Sequence, residues 1–337
     1  MVLSAIAAAS GTASGADKGK ARRGAIPLRA TTVATPKTTV PFTSGSTVST
    51  KGGLRIIKPA GSVLEKTTAA AGDLSCLPGS AATLVSCRAA QVSDMILADT
   101  AASSFLALGD LQYESGDASA FATSYESTYG RFKARTIPAV GNHEYVTQDA
   151  AGYYGYFGAA AHPETKGWYS LDLSTSWHLV VINSNCSFVD GCDEASPQYQ
   201  WLAGDLSATK KPCVMAIWHH PMFTSSPRGS NAFMRPIWDL LAASKADVVL
   251  NGHEHNYERF GPQSGDTTAD PNAMREFIVG TGGRNTYPMT NPQPNSEVRQ
   301  FGFGYLRLQL RNRSYSWRFV PEPGSTVFTD SGTASCH

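Results

Sequence analysis

No apolar run in the chain reaches 18 residues, so the sequence offers no membrane-spanning helix and a membrane is not an expected partner. Charge is scarce too. Charged residues make up 16% against 42% apolar, which excludes a fully disordered or coiled-coil chain and leaves a globular one. Basic stripes interleaved with aromatics are missing from the body, so nucleic acid is not an expected partner. Nine Lys and Arg fall within residues 1–60 against the single acid Asp17, so the basic excess belongs to a solvated tail and the remainder is net acidic. There is no CxxC and no Cys/His ligand spacing, so the cysteines do not read as a structural zinc site. No GxSxG elbow is present, which disfavours a serine-nucleophile hydrolase.

What is present starts with six cysteines, an even set. Cys186 and Cys192 bracket a short polar loop, Cys76 and Cys87 a longer one, and Cys213 is left to pair with Cys336. Disulfides point to a secreted, extracellular protein. The N-terminus, MVLSAIAAASGTASGA, is a poor export signal without leading basic residues, and the stretch after Arg22-Arg23 is too polar for a twin-arginine signal. Residues 1–62 are rich in Ala, Ser, Thr, Gly and Pro and cannot bury enough apolar surface to offset their ordering entropy. They are expected to be a disordered, low-complexity leader and linker, with one catalytic domain over 63–337. A monomer is expected.

From residue 63 onward, short apolar runs end abruptly in polar clusters: SFLALGDLQY (104–113), TIPAVGNHEY (136–145), CVMAIWHHP (213–221) and ADVVLNGHEH (246–255). Such runs suit strands buried on both faces. Helical patterns lie between them over about 83–102, 118–134, 196–206 and 231–244, so the alternation predicts an α/β layered fold. The segments 276–283, 303–311 and 315–321 alternate in strand fashion and predict one sheet that closes the domain.

The polar clusters sit where strands give way to loops, the place where α/β sheets bind ligands. They supply Asp73, Asp110, Tyr113, Asn142, His143, Glu144, His219, His253 and His255. Carboxylate, amide, phenol and imidazole donors without thiolate suit Fe, Zn or Mn. His219 and His220 are neighbours in an extended run, so their side chains diverge and one of them reaches the site. Asp99 lies in a helical stretch and is set aside in favour of Asp73. His162, His178 and His337 have no supporting neighbours and read as surface or structural residues. Arg284, Tyr145 and Tyr257 are candidates for the substrate mouth.

The ordered blocks GD, GDxxY, GNHE, His-x-Pro and GHxH resemble the purple acid phosphatases of the calcineurin-like metallophosphoesterase superfamily, over about residues 63 to 337. The resemblance implies a four-layer αββα sandwich of two mixed sheets flanked by helices. It places Asp73, Tyr113 and His255 on one metal ion, Asn142, His219 and His253 on a second, and Asp110 between them; it also favours His219 over His220. A phenol with a pKa near ~10 ligates as phenolate only beside a strongly Lewis-acidic ion, which points to Fe(III), with divalent Fe, Zn or Mn in the second position.

The expected activity is hydrolysis of phosphate monoesters on small-molecule or phosphorylated substrates. A metal-bridging hydroxide would attack phosphorus in line, His143 would serve as general acid, and Glu144 would orient His143 or the water. The rivals are a phosphodiesterase of the same superfamily and a secreted binding protein that keeps the fold without catalysis. Tyr113 weighs against the first and the complete ligand set against the second.

Overall fold

The computed structural model describes residues 46–51, 54–59 and 63–337. Most of the expected leader therefore lies outside the described residues. Within it, β1 (Ser46–Lys51) and β2 (Leu54–Pro59) pair antiparallel. Reading 1–62 by composition alone does not anticipate this pairing.

One mixed sheet contains six strands. Its parallel part is β3 (Leu64–Ala71), β4 (Ser104–Leu108) and β5 (Thr136–Ala139). The other mixed sheet contains seven, from β6 (Tyr169–Asp172), β7 (Trp177–Val181), β8 (Cys213–Ile217), β9 (Val248–Asn251), β10 (Tyr257–Phe260), β11 (Arg275–Val279) and β12 (Ser296–Gln300). It runs in the order β12-β10-β11-β9-β8-β7-β6, with β7, β8, β9 and β11 mutually parallel. The chain then returns to the first sheet through β13 (Gly304–Arg311), β14 (Ser314–Pro321) and β15 (Ser331–Ser335), which add antiparallel strands in the order β15-β14-β13-β3-β4-β5.

The period-2 alternation of side chains explains why two sheets whose central strands are buried on both faces make four layers. Ala70, Leu106, Leu108, Leu179, Val181, Met215 and Ile217 point into one core between the sheets. Their neighbours Ala69, Ala71, Phe105 and Ala107 face outward and are covered by Val92 and Ile96 of α1 (Ala89–Ala98), by Phe121, and by Tyr153 and Phe157. Val180, Val214, Ala216 and Val249 face the opposite way, under Leu202 and Leu206 of one helix and Ile237, Trp238 and Leu241 of another. Those helices are numbered after the intervening α2 (Ala118–Ala120) and α3 (Ala151–Phe157): α4 (Pro197–Ala208) and α5 (Arg235–Ala243). The expected αββα sandwich is therefore the observed one. No helix among the described residues is long and apolar enough to cross a membrane.

Three local expectations need correction. The predicted closing sheet is split: β11 joins the seven-stranded sheet beside β9, while β13 and β14 join the other beside β3. Strand periodicity reveals a strand and not its partner. The helix expected over 83–102 starts later, because Cys87 adopts φ +58° and carries the disulfide to Cys76. The 118–134 pattern breaks into α2, a wide turn over Phe121–Tyr125 and a tight one over Tyr129–Arg135. The pairings Cys76–Cys87, Cys186–Cys192 and Cys213–Cys336 are all formed.

Candidate metal centre

The parallel strands aim their C-terminal ends at one place. Asp73 follows β3, Asp110 follows β4, Asn142 follows β5, His219 follows β8, and His253 and His255 follow β9. A glycine precedes four of these residues. At Gly141 a Cβ would run into Asp110 Oδ1, and at Gly252 it would lie 2.6 Å from the Leu108 carbonyl oxygen. Close approach of one loop to the next therefore demands glycine there. Asp73, Asp110 and His253 themselves take the left-handed conformation, with φ of +60°, +51° and +70°. Each such position costs a non-glycine residue about 1–2 kcal/mol, a strain that collects where side chains must converge.

The seven expected ligands converge as two donor groups that share Asp110. On one side, Tyr113 Oη lies 2.7 Å from Asp73 Oδ1, 2.9 Å from Asp110 Oδ2 and 3.0 Å from His255 Nε2. On the other, His219 Nε2 lies 3.2 Å from Asp110 Oδ1 and 3.1 Å from Asn142 Oδ1, and His253 Nδ1 lies 3.1 Å from the same amide oxygen. Asp110 thus sends one oxygen to each group. Asp73, Asp110 and His219 are buried, and Asp73 Oδ2 has no hydrogen-bond partner. A buried carboxylate oxygen without a partner is costly, and a cation among these donors removes that cost.

Partners outside the cluster fix which imidazole nitrogens face inward. His219 Nδ1 donates to the Leu108 carbonyl at 2.9 Å, and His255 Nδ1 donates to Asn285 Oδ1 at 2.9 Å, so Nε2 of each is turned to the site. Asn285 was not foreseen in the sequence, although it follows β11 by the same strand-end logic that revealed the others. Burial pushes the Tyr113 phenol well above its ordinary value, and the Asp110 and Asp73 carboxylates push it further. Only a strong neighbouring positive charge would make it a phenolate. Burial lowers His219, but the Asp110 carboxylate overrides that and raises it to about 9. His220 points away to Ser184, with Nδ1 2.8 Å from the hydroxyl, and burial lowers it to about 3. Its ring still lies 4.4 Å from that of His253.

His143 sits at the rim. Its Nδ1 donates to the Glu114 carbonyl at 2.5 Å, and its Nε2 lies 3.9 Å from Asp110 Oδ2. Glu144 differs from expectation, since its carboxylate faces neither His143 nor the donor cluster. It accepts four backbone N–H groups, from Asp110 at 3.0 Å, Leu111 at 2.8 Å, Gln112 at 3.2 Å and Gly141 at 2.8 Å. Burial and the Asp110 carboxylate push its carboxyl up to about 7, while these donors pull it back. The residue braces two site loops.

The remaining candidates divide. Arg284 lies over the Tyr113 ring at 5.0 Å and pairs with Glu114 at the mouth, and Tyr145 stacks on Phe188. Tyr257 is a correction: it is buried between the sheets and donates to Asp330 at 2.7 Å, because its strand turns it inward. Asp99 pairs with Arg307, His178 lies between Asp172 and Asp205, His162 pairs with Glu164 and His337 with Asp247, all outside the cluster.

Residues 71–257, more than half of the chain, match the family model described as calcineurin-like phosphoesterase. Among curated proteins, purple acid phosphatase 1 of Ipomoea batatas is 27% identical over 60% of this chain and 50% of its own length. The Fe(3+)-Zn(2+) purple acid phosphatase 12 of Arabidopsis thaliana is 27% identical over the same shares. The chain spans about half the length of these relatives. Among solved structures, purple acid phosphatase PPD1 from yellow lupin (Lupinus luteus) seeds superimposes with a TM-score of 0.63 at 18% identity, covering 80% of this chain and 54% of that one, a likeness of fold.

Proposed function

This chain belongs to the calcineurin-like phosphoesterase family, and we propose that it is a phosphatase that hydrolyses phosphate monoesters at a pair of metal ions. The observation that carries this reading is the Asp110 carboxylate, whose two oxygens face two separate donor groups. Asp73, Tyr113 and His255 would hold one ion, Asn142, His219 and His253 the other, and Asp110 both. The phenol favours Fe(III) on the first side, and the amide with two imidazoles suits divalent Zn, Fe or Mn on the second; one similar protein is named for Fe(3+) and Zn(2+). When bound, such ions supply Lewis acidity, drawing charge from phosphate oxygens and lowering the pKa of water.

The protein's own part is positioning and proton transfer. A water oxygen forms a bond to phosphorus as the bond from phosphorus to the ester oxygen breaks, and the leaving alcohol needs a proton. His143 can deliver it, because Nδ1 is committed to the Glu114 carbonyl and Nε2 is left at the open side of the cluster. Three disulfides favour an oxidising, extracellular setting. The test compares 4-nitrophenyl phosphate with bis(4-nitrophenyl) phosphate on metal-loaded protein. Faster turnover of the monoester supports the proposal, and preference for the diester replaces it with a phosphodiesterase.

A further inference from the structure

A cleft of about 340 Å³ opens beside the donor cluster, with Asn142, Ser184, Asn185 and His220 on its floor and the phenyl rings of Phe188 and Phe233 in its wall. The two rings are 49% and 47% exposed. Apolar side chains that line a cleft beside a polar site offer contact surface to a ligand. Neither ring is loose. Phe188 stacks on Tyr145 with centroids 4.3 Å apart and planes at 20°, and it lies inside the loop closed by Cys186–Cys192. Phe233 lies in the turn Ala232–Met234 that leads into α5, with its ring 5.8 Å from that of His220.

Two of the floor side chains are engaged internally. Ser184 Oγ engages His220 Nδ1 at 2.8 Å, and Asn185 Nδ2 donates to Asn183 Oδ1 at 2.9 Å. The cleft lining contains no Lys, Arg, Asp or Glu. It therefore presents no carboxylate, ammonium or guanidinium to a ligand, and it has two ring faces to offer a flat apolar group. Asn142 joins the two sites, since its amide oxygen faces His219 and His253 while the residue lines the cleft.

We propose that this cleft is a leaving-group subsite in which Phe188 and Phe233 flank the aromatic alcohol of an aryl phosphate monoester, making them determinants of specificity. This rests on the phosphatase reading: a phosphate held by the donor cluster would direct its ester group past Asn142 into the cleft.

The experiment measures kcat/KM on 1-naphthyl phosphate and glycerol 2-phosphate for the metal-loaded protein, Phe188→Ala and Phe233→Ala, with Val63→Ala, exposed at the end of β3 opposite to Asp73, as a control. Comparing the aryl-to-alkyl ratio of each variant with that of the unaltered protein cancels intrinsic leaving-group reactivity. Aromatic contacts of this kind predict a fall in that ratio of roughly three- to tenfold in either Phe variant and none in the control. Calorimetry gives a readout independent of turnover: phenylphosphonate should bind more tightly than methylphosphonate, and the gap should narrow in both Phe variants. Hydrolysis of both esters with an unmoved ratio, or equal affinity for the two phosphonates, overturns the subsite alone. Failure of the unaltered, metal-loaded protein to hydrolyse either ester overturns the phosphatase reading and this inference with it.

Discussion

The Glu144 carboxylate accepts the backbone N–H of Asp110 at 3.0 Å, so a residue from the loop after β5 braces the loop after β4. Each carboxylate oxygen takes two backbone donors, Oε2 from Asp110 and Gly141 and Oε1 from Leu111 and Gln112. Glu144→Gln turns an NH2 group toward two buried N–H groups whichever way the amide lies. An unsatisfied buried donor costs about 1–3 kcal/mol, so a loss of about 3 kcal/mol in stability is expected from urea unfolding. A loss within about 0.5 kcal/mol, ordinary for a neutral surface change, would show that the brace carries no weight.

Substitution of His143 separates its proton transfer from the rest of the site. Poor alkyl leaving groups need the proton and 4-nitrophenolate hardly does. His143→Ala should slow hydrolysis of glycerol 2-phosphate by about 10²–10⁴-fold and that of 4-nitrophenyl phosphate far less. Equal loss on both substrates would assign His143 to binding instead.

The strand-end rhythm made the site legible. A strand buried on both faces reads as an unbroken apolar run, and the glycine that follows β3, β4 and β9 marks where the chain turns to present Asp73, Asp110 and His253. The direction taken by adjacent side chains was not legible. Glu144 lies two residues from Asn142, yet it points at backbone N–H groups of another loop, and no pattern in the sequence reports unpaired donors 32 to 34 positions away. Partnership between strands was hidden for the same reason, so β11 was grouped with β13 and β14 although it pairs with β9 and β10. Tyr257 looked like a mouth residue by its nearness to His255, but a step along a strand turned it into the core.

The disulfide Cys213–Cys336 spans 123 positions and links β8 to the C-terminal segment, whereas Cys186–Cys192 spans six. Chain-entropy reasoning gives the longer closure about 2.7 kcal/mol more stabilisation of the fold. Paired serine substitutions, compared by denaturant unfolding, should order the two bridges that way. Equal losses would mean that the unfolded chain is not the state being constrained.

His178 provides a pH signature far from the donor cluster. Its Nε2 lies 2.8 Å from Asp205 and its Nδ1 3.0 Å from Asp172. The Asp205 hydrogen bond raises its pKa above the unfolded 6.5, with burial opposing and Asp172 adding to the rise. A raised folded value means that the stabilisation is complete below pH 6.5 and disappears as pH climbs through the folded value. The stability gap between the unaltered protein and His178→Gln should therefore be wider at about pH 5.5 than at about pH 9. A gap that stays constant would contradict an ion pair at this position.

Elemental analysis of the purified protein, beside that of Asp110→Ala, bears most directly on the shared carboxylate. The account predicts about two transition-metal ions per chain in the unaltered protein, and fewer than about one, with hydrolysis lost, when the bridging oxygens are removed. No stoichiometric metal in the unaltered protein, or undiminished hydrolysis by Asp110→Ala, would contradict it.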